Sequence, residues 1–223
     1  MSQLSSHEAS TIGNLSFMLI TPYKALIFDL GKVVFDLSFR RVFQVWAKAS
    51  NRQADELEAL FRFDELFDQF EKAAVTPPHF RAELSSRLGL TLTDAEFDAG
   101  WCDLYLATYP GINALLAQLK RQYQLVALTN TNSIHSPVWH QKYADTLRYF
   151  DRVFSSHELQ VRKPEAPAYH RVLDYLQVRP AEVVFLDDNP DNIKGAAQLG
   201  IKTILVTSYD QMTAALQSLG LLH

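Results

Sequence analysis

Ala25-Leu26-Ile27-Phe28 is a continuous apolar run that stops at a carboxylate, Asp29. A run this short, apolar at every position and closed by a polar turn, is the pattern of a parallel strand buried on both faces. Three similar runs follow at 125–128, 183–186 and 204–206, with a shorter candidate at Val153-Phe154. Helical periodicity separates them. Ile112, Leu115, Leu116 and Leu119 share one face after Pro110, and Tyr169, Val172, Leu173 and Leu176 share another after Pro164 and Pro167. Ile193, Ala196, Ala197 and Leu199 make a third, with Pro190 near the start and Gly200 as the stop. This alternation predicts an α/β fold, a doubly wound, Rossmann-like core around a parallel sheet.

The stretch from 38 to 105 breaks the alternation and shows no good strand. Phe39, Val42, Phe43 and Trp46 recur at helical spacing behind a candidate N-cap, Ser38. Residues 51–72 are also helix-like, Pro77-Pro78 interrupts, and two more helical segments follow at 79–88 and 94–105. The reading is an all-helical cap, 38–105, inserted after the first strand of a core made of 21–37 and 106–223, with 1–20 as a flexible polar tail.

A chain of 223 residues suits one core and one small insertion. With 21 basic against 25 acidic side chains, the formal net charge is −4, so no positive field points to nucleic acid or an anionic membrane. An anionic substrate then needs a local site. One cysteine, Cys102, excludes an intramolecular disulfide; it fits a reducing, cytoplasmic compartment and reads as a packed thiol. No apolar stretch has the length of a membrane span, and the first residues lack the basic start and apolar run of a secretory signal. Oligomeric state is not constrained.

In open parallel sheets ligands sit beyond the carboxyl ends of the strands. Those ends carry Asp29-Leu30-Gly31, Thr129-Asn130 and Asp187-Asp188-Asn189, and Arg162-Lys163-Pro164-Glu165 precedes a helix. Carboxylates can hold Mg²⁺, a hard ion that takes oxygen ligands. An ammonium, a hydroxyl and an amide can cradle phosphoryl oxygens. A carboxylate nucleophile would divide hydrolysis into formation and breakdown of an aspartyl-phosphate.

These residues, in this order, resemble the four motifs of the haloacid dehalogenase superfamily, in its phosphatase branch with a helical cap. Phe28-Asp29-Leu30-Gly31-Lys32-Val33 looks like the first motif, Leu128-Thr129-Asn130 the second, Lys163-Pro164 the third and Phe185-Leu186-Asp187-Asp188-Asn189 the fourth. Within the superfamily the chain is similar to the bacterial α-D-glucose-1-phosphate phosphatase group, through Asp36, Gly100-Trp101, Asn132, His135, Trp139 and Asn192 as well. The resemblance implies a Mg²⁺-dependent phosphatase acting on small phosphate monoesters, sugar phosphates such as glucose 1-phosphate among them. It implies Asp29 as nucleophile and metal ligand, Gly31 as a ligand through its carbonyl, and Asp188 and Asp187 at the metal. Thr129 and Lys163 would serve catalysis and hold the phosphoryl group, with Asn130, Asn132 and His135 on the substrate.

One position departs from the pattern. Most phosphatases of the superfamily carry a second aspartate two residues after the nucleophile as general acid and base; here that residue is Gly31. General acid catalysis is worth roughly 10²–10⁴-fold. Either the leaving group departs unprotonated, as an anomeric sugar oxygen could, or another group such as Asp36 or His135 supplies the proton. An alternative of another class stays open as well: a phosphate-binding or regulatory protein of this fold with little turnover.

Overall fold

The Ala25–Phe28 run is strand β1, and it lies at the centre of the sheet. The computed structural model describes residues 22–222, so the expected tail at 1–20 lies outside the described residues. After β1 come β2 (Phe35–Leu37) and five helices: α1 (Phe39–Ser50), α2 (Ala54–Leu60), α3 (Glu65–Glu71), α4 (Pro77–Leu88) and α5 (Asp94–Trp101). Strand β3 (Tyr105–Thr108) returns the chain to the core, followed by α6 (Ile112–Leu119), β4 (Gln124–Thr129), α7 (His135–Lys142) and α8 (Ala144–Leu147). Then come β5 (Arg152–Ser155), α9 (Ser156–Leu159), α10 (Ala166–Leu176), β6 (Val183–Asp187), α11 (Pro190–Gln198), β7 (Lys202–Leu205) and α12 (Tyr209–Ser218).

The main sheet is parallel, in the order β5-β4-β1-β6-β7. Every residue of β1 is buried, and alternate side chains enter opposite layers. Ala25 and Ile27 join Tyr169, Val172 and Leu173 of α10 and Ala196 of α11. Leu26 and Phe28 join Leu115 and Leu116 of α6 and Leu216 of α12, in a core that continues into the inserted helices. Those helices pack around aromatic rings. Trp46 lies parallel to Trp101 with centroids 5.7 Å apart, and Phe70 stacks on Phe80 at 4.0 Å. Both tryptophans are fully buried, as their place in apolar helical stripes predicts.

Two local expectations change. The helix expected over 94–105 stops at Trp101, passes through a 3-10 turn, and Tyr105 opens β3. β3 pairs antiparallel with β2, a two-stranded ribbon between the sheet and the inserted helices. Strands of three and four residues are too short to show a period of two in sequence. The helix-like 51–72 divides at 61–64, where the chain becomes extended and Asp64 caps α3 through the Leu66 N–H. Ser38 occupies the N-cap position of α1 without a side-chain hydrogen bond. No helix among the described residues is long and apolar enough to cross a membrane.

Candidate active site

β1, β4 and β6 are adjacent, so their carboxyl ends bring Asp29, Thr129, Asp187 and Asp188 to one edge of the sheet. Lys163 enters from the loop before α10. Its ammonium, 1% exposed, donates to Asp29 Oδ1 at 2.7 Å and to Asp187 Oδ2 at 2.6 Å. The loop is held by Asn130: its Oδ1 accepts from the Lys163 N–H and its Nδ2 donates to the Lys163 carbonyl, each at 2.9 Å. Burial works against the charged form of Lys163, but Asp187 and Asp29 overcome it and raise its pKa. Burial also pushes Asp29 up to about 7 against the pull of Lys163, and Asp187 and Asp188 add like-charge repulsion. Asp188, half-buried, is raised by burial and then by Asp187.

The three carboxylates each offer an oxygen within 4.8 Å of the others, a donor set suited to a hard divalent cation. Such an ion would relieve the repulsion that raises Asp29. The three are not equivalent. Asp187 is fully buried, and both its oxygens are already taken: Oδ1 accepts from the Asn189 N–H (2.8 Å) and Asn192 Nδ2 (3.1 Å), and Oδ2 from Lys163 and Asn192 Nδ2 (3.1 Å). Asp29, Gly31 and Asp188 face a cavity of about 570 Å³, within the usual range of small-molecule sites, and Thr129 and Lys163 line it too.

The cavity's other walls come from β2, β3, α7 and the inserted helices. Phe35 and Leu37 rise from β2, Tyr105 from β3, Trp139 from α7, and Phe39, Phe63 and Phe67 from the cap side. Arg162 bridges cap and core: it pairs with Asp68 and, at 3.0 Å, with the buried Glu71, both on α3. Lys72 and Glu165 form a second pair beside it, also at 3.0 Å. Burial, more than the opposing Arg162, sets the Glu71 carboxyl, which rises to about 7. Gly31 has a close neighbour: a Cβ built there would stand 2.6 Å from Leu37 Cδ1. Leu37 thus fills the space into which a side chain at position 31 would point.

Several residues expected at substrate are placed elsewhere. Asn132 is fully buried; its Oδ1 accepts from the Ile134 and His135 N–H groups, so it caps α7. His135 lies beside it, with Nδ1 3.1 Å from Asn132 Nδ2, Nε2 2.9 Å from the Trp101 carbonyl, and its ring stacked on Trp101. Burial lowers its pKa to about 4, so it is neutral near pH 7. Neither residue lines the cavity. Nor does Asp36, whose Oδ1 accepts from the Leu37 N–H and whose carboxylate bonds Tyr109. Asn130 lines the cavity, but both ends of its side-chain amide are engaged by Lys163. Cys102 donates to the Ile134 carbonyl at 3.6 Å, and burial pushes its thiol up to about 12, which makes it inert.

Asp68 and the aromatic wall are absent from a reading of motifs. Phe63 lies in the extended break before α3 and Phe67 on the helix, so no local periodicity marks the two as sharing a wall.

Comparison with known proteins identifies the family. A family model described as haloacid dehalogenase-like hydrolase matches residues 23–200. A D-ribitol-5-phosphate phosphatase of Bacteroides thetaiotaomicron is 24% identical over 185 residues, covering 81% of this chain and 90% of its own. A sesquiterpene phosphatase of Aspergillus oryzae is 27% identical over 193 residues, 85% of this chain and 92% of its own. Among solved structures, a HAD family enzyme of B. thetaiotaomicron in complex with magnesium and inorganic phosphate superposes with a TM-score of 0.72 at 29% identity, over 85% of this chain and 98% of that one.

Proposed function

The chain belongs to the haloacid dehalogenase-like hydrolases, in their phosphatase branch, and from that premise we propose that it hydrolyses small phosphate monoesters with Mg²⁺ through a phosphorylated Asp29. The observation that carries this reading is the buried Lys163 ammonium, shared between Asp29 and Asp187 at the floor of a cavity that Thr129 and Asp188 also line.

Asp29, Asp188 and the Gly31 carbonyl would hold the ion, and Asp187, its oxygens filled by protein donors, would position Lys163 and Asn192 around it. When bound, Mg²⁺ supplies positive charge against the phosphoryl oxygens and the crowded carboxylates. Lys163 favours the ionised form of Asp29 against burial and orients it; Oδ1 takes the hydrogen bond, which leaves Oδ2 free of one among the described residues. A carboxylate oxygen of Asp29 attacks phosphorus, the P–O bond to the leaving group breaks, and its electron pair departs on that oxygen. Thr129 offers a hydroxyl to the phosphoryl group, and Asn130 acts on the substrate by fixing Lys163. Water then attacks the phosphorus of the acyl phosphate, releasing inorganic phosphate and restoring Asp29.

With Leu37 in the place of an acid at Gly31, and Asp36 and His135 away from the cavity, none of the expected donors reaches the leaving group, which favours one that departs unprotonated. Anomeric sugar phosphates such as glucose 1-phosphate meet that demand. The relatives are named for a sugar-alcohol phosphate and for a sesquiterpene, so kinship leaves the leaving group open. The use of one unpaired cysteine supports action in the cytoplasm. Phosphate release from acetyl phosphate, whose acetate needs no protonation, tests the reading. Turnover should require Mg²⁺ and fall to background in Asp29→Asn. Binding of phosphate without turnover would instead establish the low-turnover phosphate-binding protein.

A further inference from the structure

Besides its carboxylates and Lys163, the cavity carries a wall of aromatic rings. Phe35, Phe39, Phe63, Phe67, Tyr105 and Trp139 line it, and their polar atoms are already matched. Trp139 Nε1 donates to Thr131 Oγ1 at 3.2 Å, and the Tyr105 hydroxyl is within hydrogen-bonding reach of the same threonine. Arg162 is held by Asp68 and Glu71, and the Asn130 amide by Lys163. Lys32, Asp68, Thr129 and Asn189 offer polar groups elsewhere in the lining, but the rings of Phe39, Phe63 and Phe67 offer a polyol none, and each hydroxyl left unpaired there weakens binding by roughly ten-fold. A flat apolar group meets the opposite situation. Phe63 stands edge-on to both Phe39 and Phe67, with ring centroids 5.0 Å apart in each pair, while 62% of its surface stays exposed at the cavity mouth. Another ring can extend that edge-to-face arrangement and cover the exposed face.

The Gly31 position gives an independent constraint. Leu37 occupies the direction a proton donor would take from there. With no acid at that position, a leaving oxygen that is stable as an anion when the P–O bond breaks is favoured, and a phenolate is one, taking its proton afterwards from water. On these two observations, and resting on the phosphatase reading above, we propose that the substrate class is a phosphate monoester of a phenol or similar aromatic alcohol, its ring held against Phe39, Phe63 and Phe67.

The test compares kcat/KM of the Mg²⁺-loaded protein for acetyl, phenyl, 1-naphthyl and glucose 1-phosphates. Phenyl phosphate should exceed glucose 1-phosphate by about ten-fold or more. Naphthyl phosphate, with a leaving group of similar basicity, should exceed phenyl by about five- to ten-fold for the added apolar area. Phe63→Ala, at an exposed position that folding tolerates, should lower the naphthyl-to-phenyl ratio. A binding readout without turnover should agree: by calorimetry, benzylphosphonate should bind about ten-fold more tightly than 2-hydroxyethylphosphonate. Glucose 1-phosphate matching phenyl phosphate, equal affinity for the two phosphonates, or a naphthyl-to-phenyl ratio unmoved by Phe63→Ala would overturn the assignment. Should acetyl phosphate be hydrolysed while those results hold, only the aromatic assignment falls. No release from any ester would remove the phosphatase reading and this one together.

Discussion

Replacing Lys163 by methionine isolates the electrostatics on which the site depends. The ammonium is 1% exposed and lies 2.7 Å from Asp29 Oδ1 and 2.6 Å from Asp187 Oδ2, so its removal strands two carboxylates in a desolvated space. Breaking a buried ion pair from one side costs about 3–5 kcal/mol, and methionine, of similar length, keeps most of the packing. The loss should depend on pH with a definite sign. In Lys163→Met, Asp29, already raised to about 7 by burial, loses the pull that lowers it, so its folded-state pKa lies further above the unfolded value of about 4. Such groups favour folding below the unfolded value and lose that contribution as pH rises through the folded one. Without divalent ions, urea unfolding should therefore show the variant weaker by about 3–5 kcal/mol near about pH 8, and by clearly less near about pH 5. Saturating Mg²⁺ should recover part of the deficit at the higher pH, because bound cation replaces lost positive charge. An equal deficit at both pH values would refute the reasoning, since a pure packing loss has no pH dependence.

Other perturbations separate cap, core and site. A Cβ on Gly100 would stand 2.3 Å from Trp46 Cδ1, and that indole is fixed by Trp101 and by its bond to the Phe97 carbonyl; Gly100→Ala should cost about 1–3 kcal/mol, seen as a lower thermal midpoint. Glu71, raised to about 7 by burial, contributes stability that is full below about 4.5 and lost as pH rises through 7. His135, lowered to about 4 by burial, does the reverse, its contribution being full above about 6.5 and lost as pH falls through 4. Relative to the parent, Glu71→Gln should therefore lack up to about 3 kcal/mol of the stability gained on acidification between about pH 7 and 4.5, measured by denaturant titration. Asn130→Ala removes both bonds to the Lys163 backbone and should lower kcat for acetyl phosphate about ten-fold or more, with a smaller change in KM, because Asn130 acts by positioning Lys163.

The residues of the candidate site at the strand ends were legible because strand ends are local. An apolar run that stops at Asp29, Thr129 or Asp187 places that residue at a sheet edge whatever the rest of the chain does, and the strand–helix rhythm makes the edges coincide. The β2–β3 ribbon escaped notice, since strands of three and four residues are made by their pairing and not by their pattern. Asn132 and His135 illustrate a different blindness. A polar residue just after a strand can face a ligand or turn inward to cap the next helix, and only the packing of Trp101 over His135 settles which.

From its residues alone, this chain determined a parallel core, an interrupting run of helices, and acidic groups at the strand ends, because short-range periodicity and strand termini encode those directly, while Lys163 joined them only through the family resemblance. The tertiary structure alone decided which oxygens stay open, that Leu37 takes the room beside Gly31, and that phenylalanines from the distant cap complete the wall. Those outcomes depend on side chains meeting across long sequence separations, where contact distance and competition for hydrogen bonds, not local pattern, select the partner.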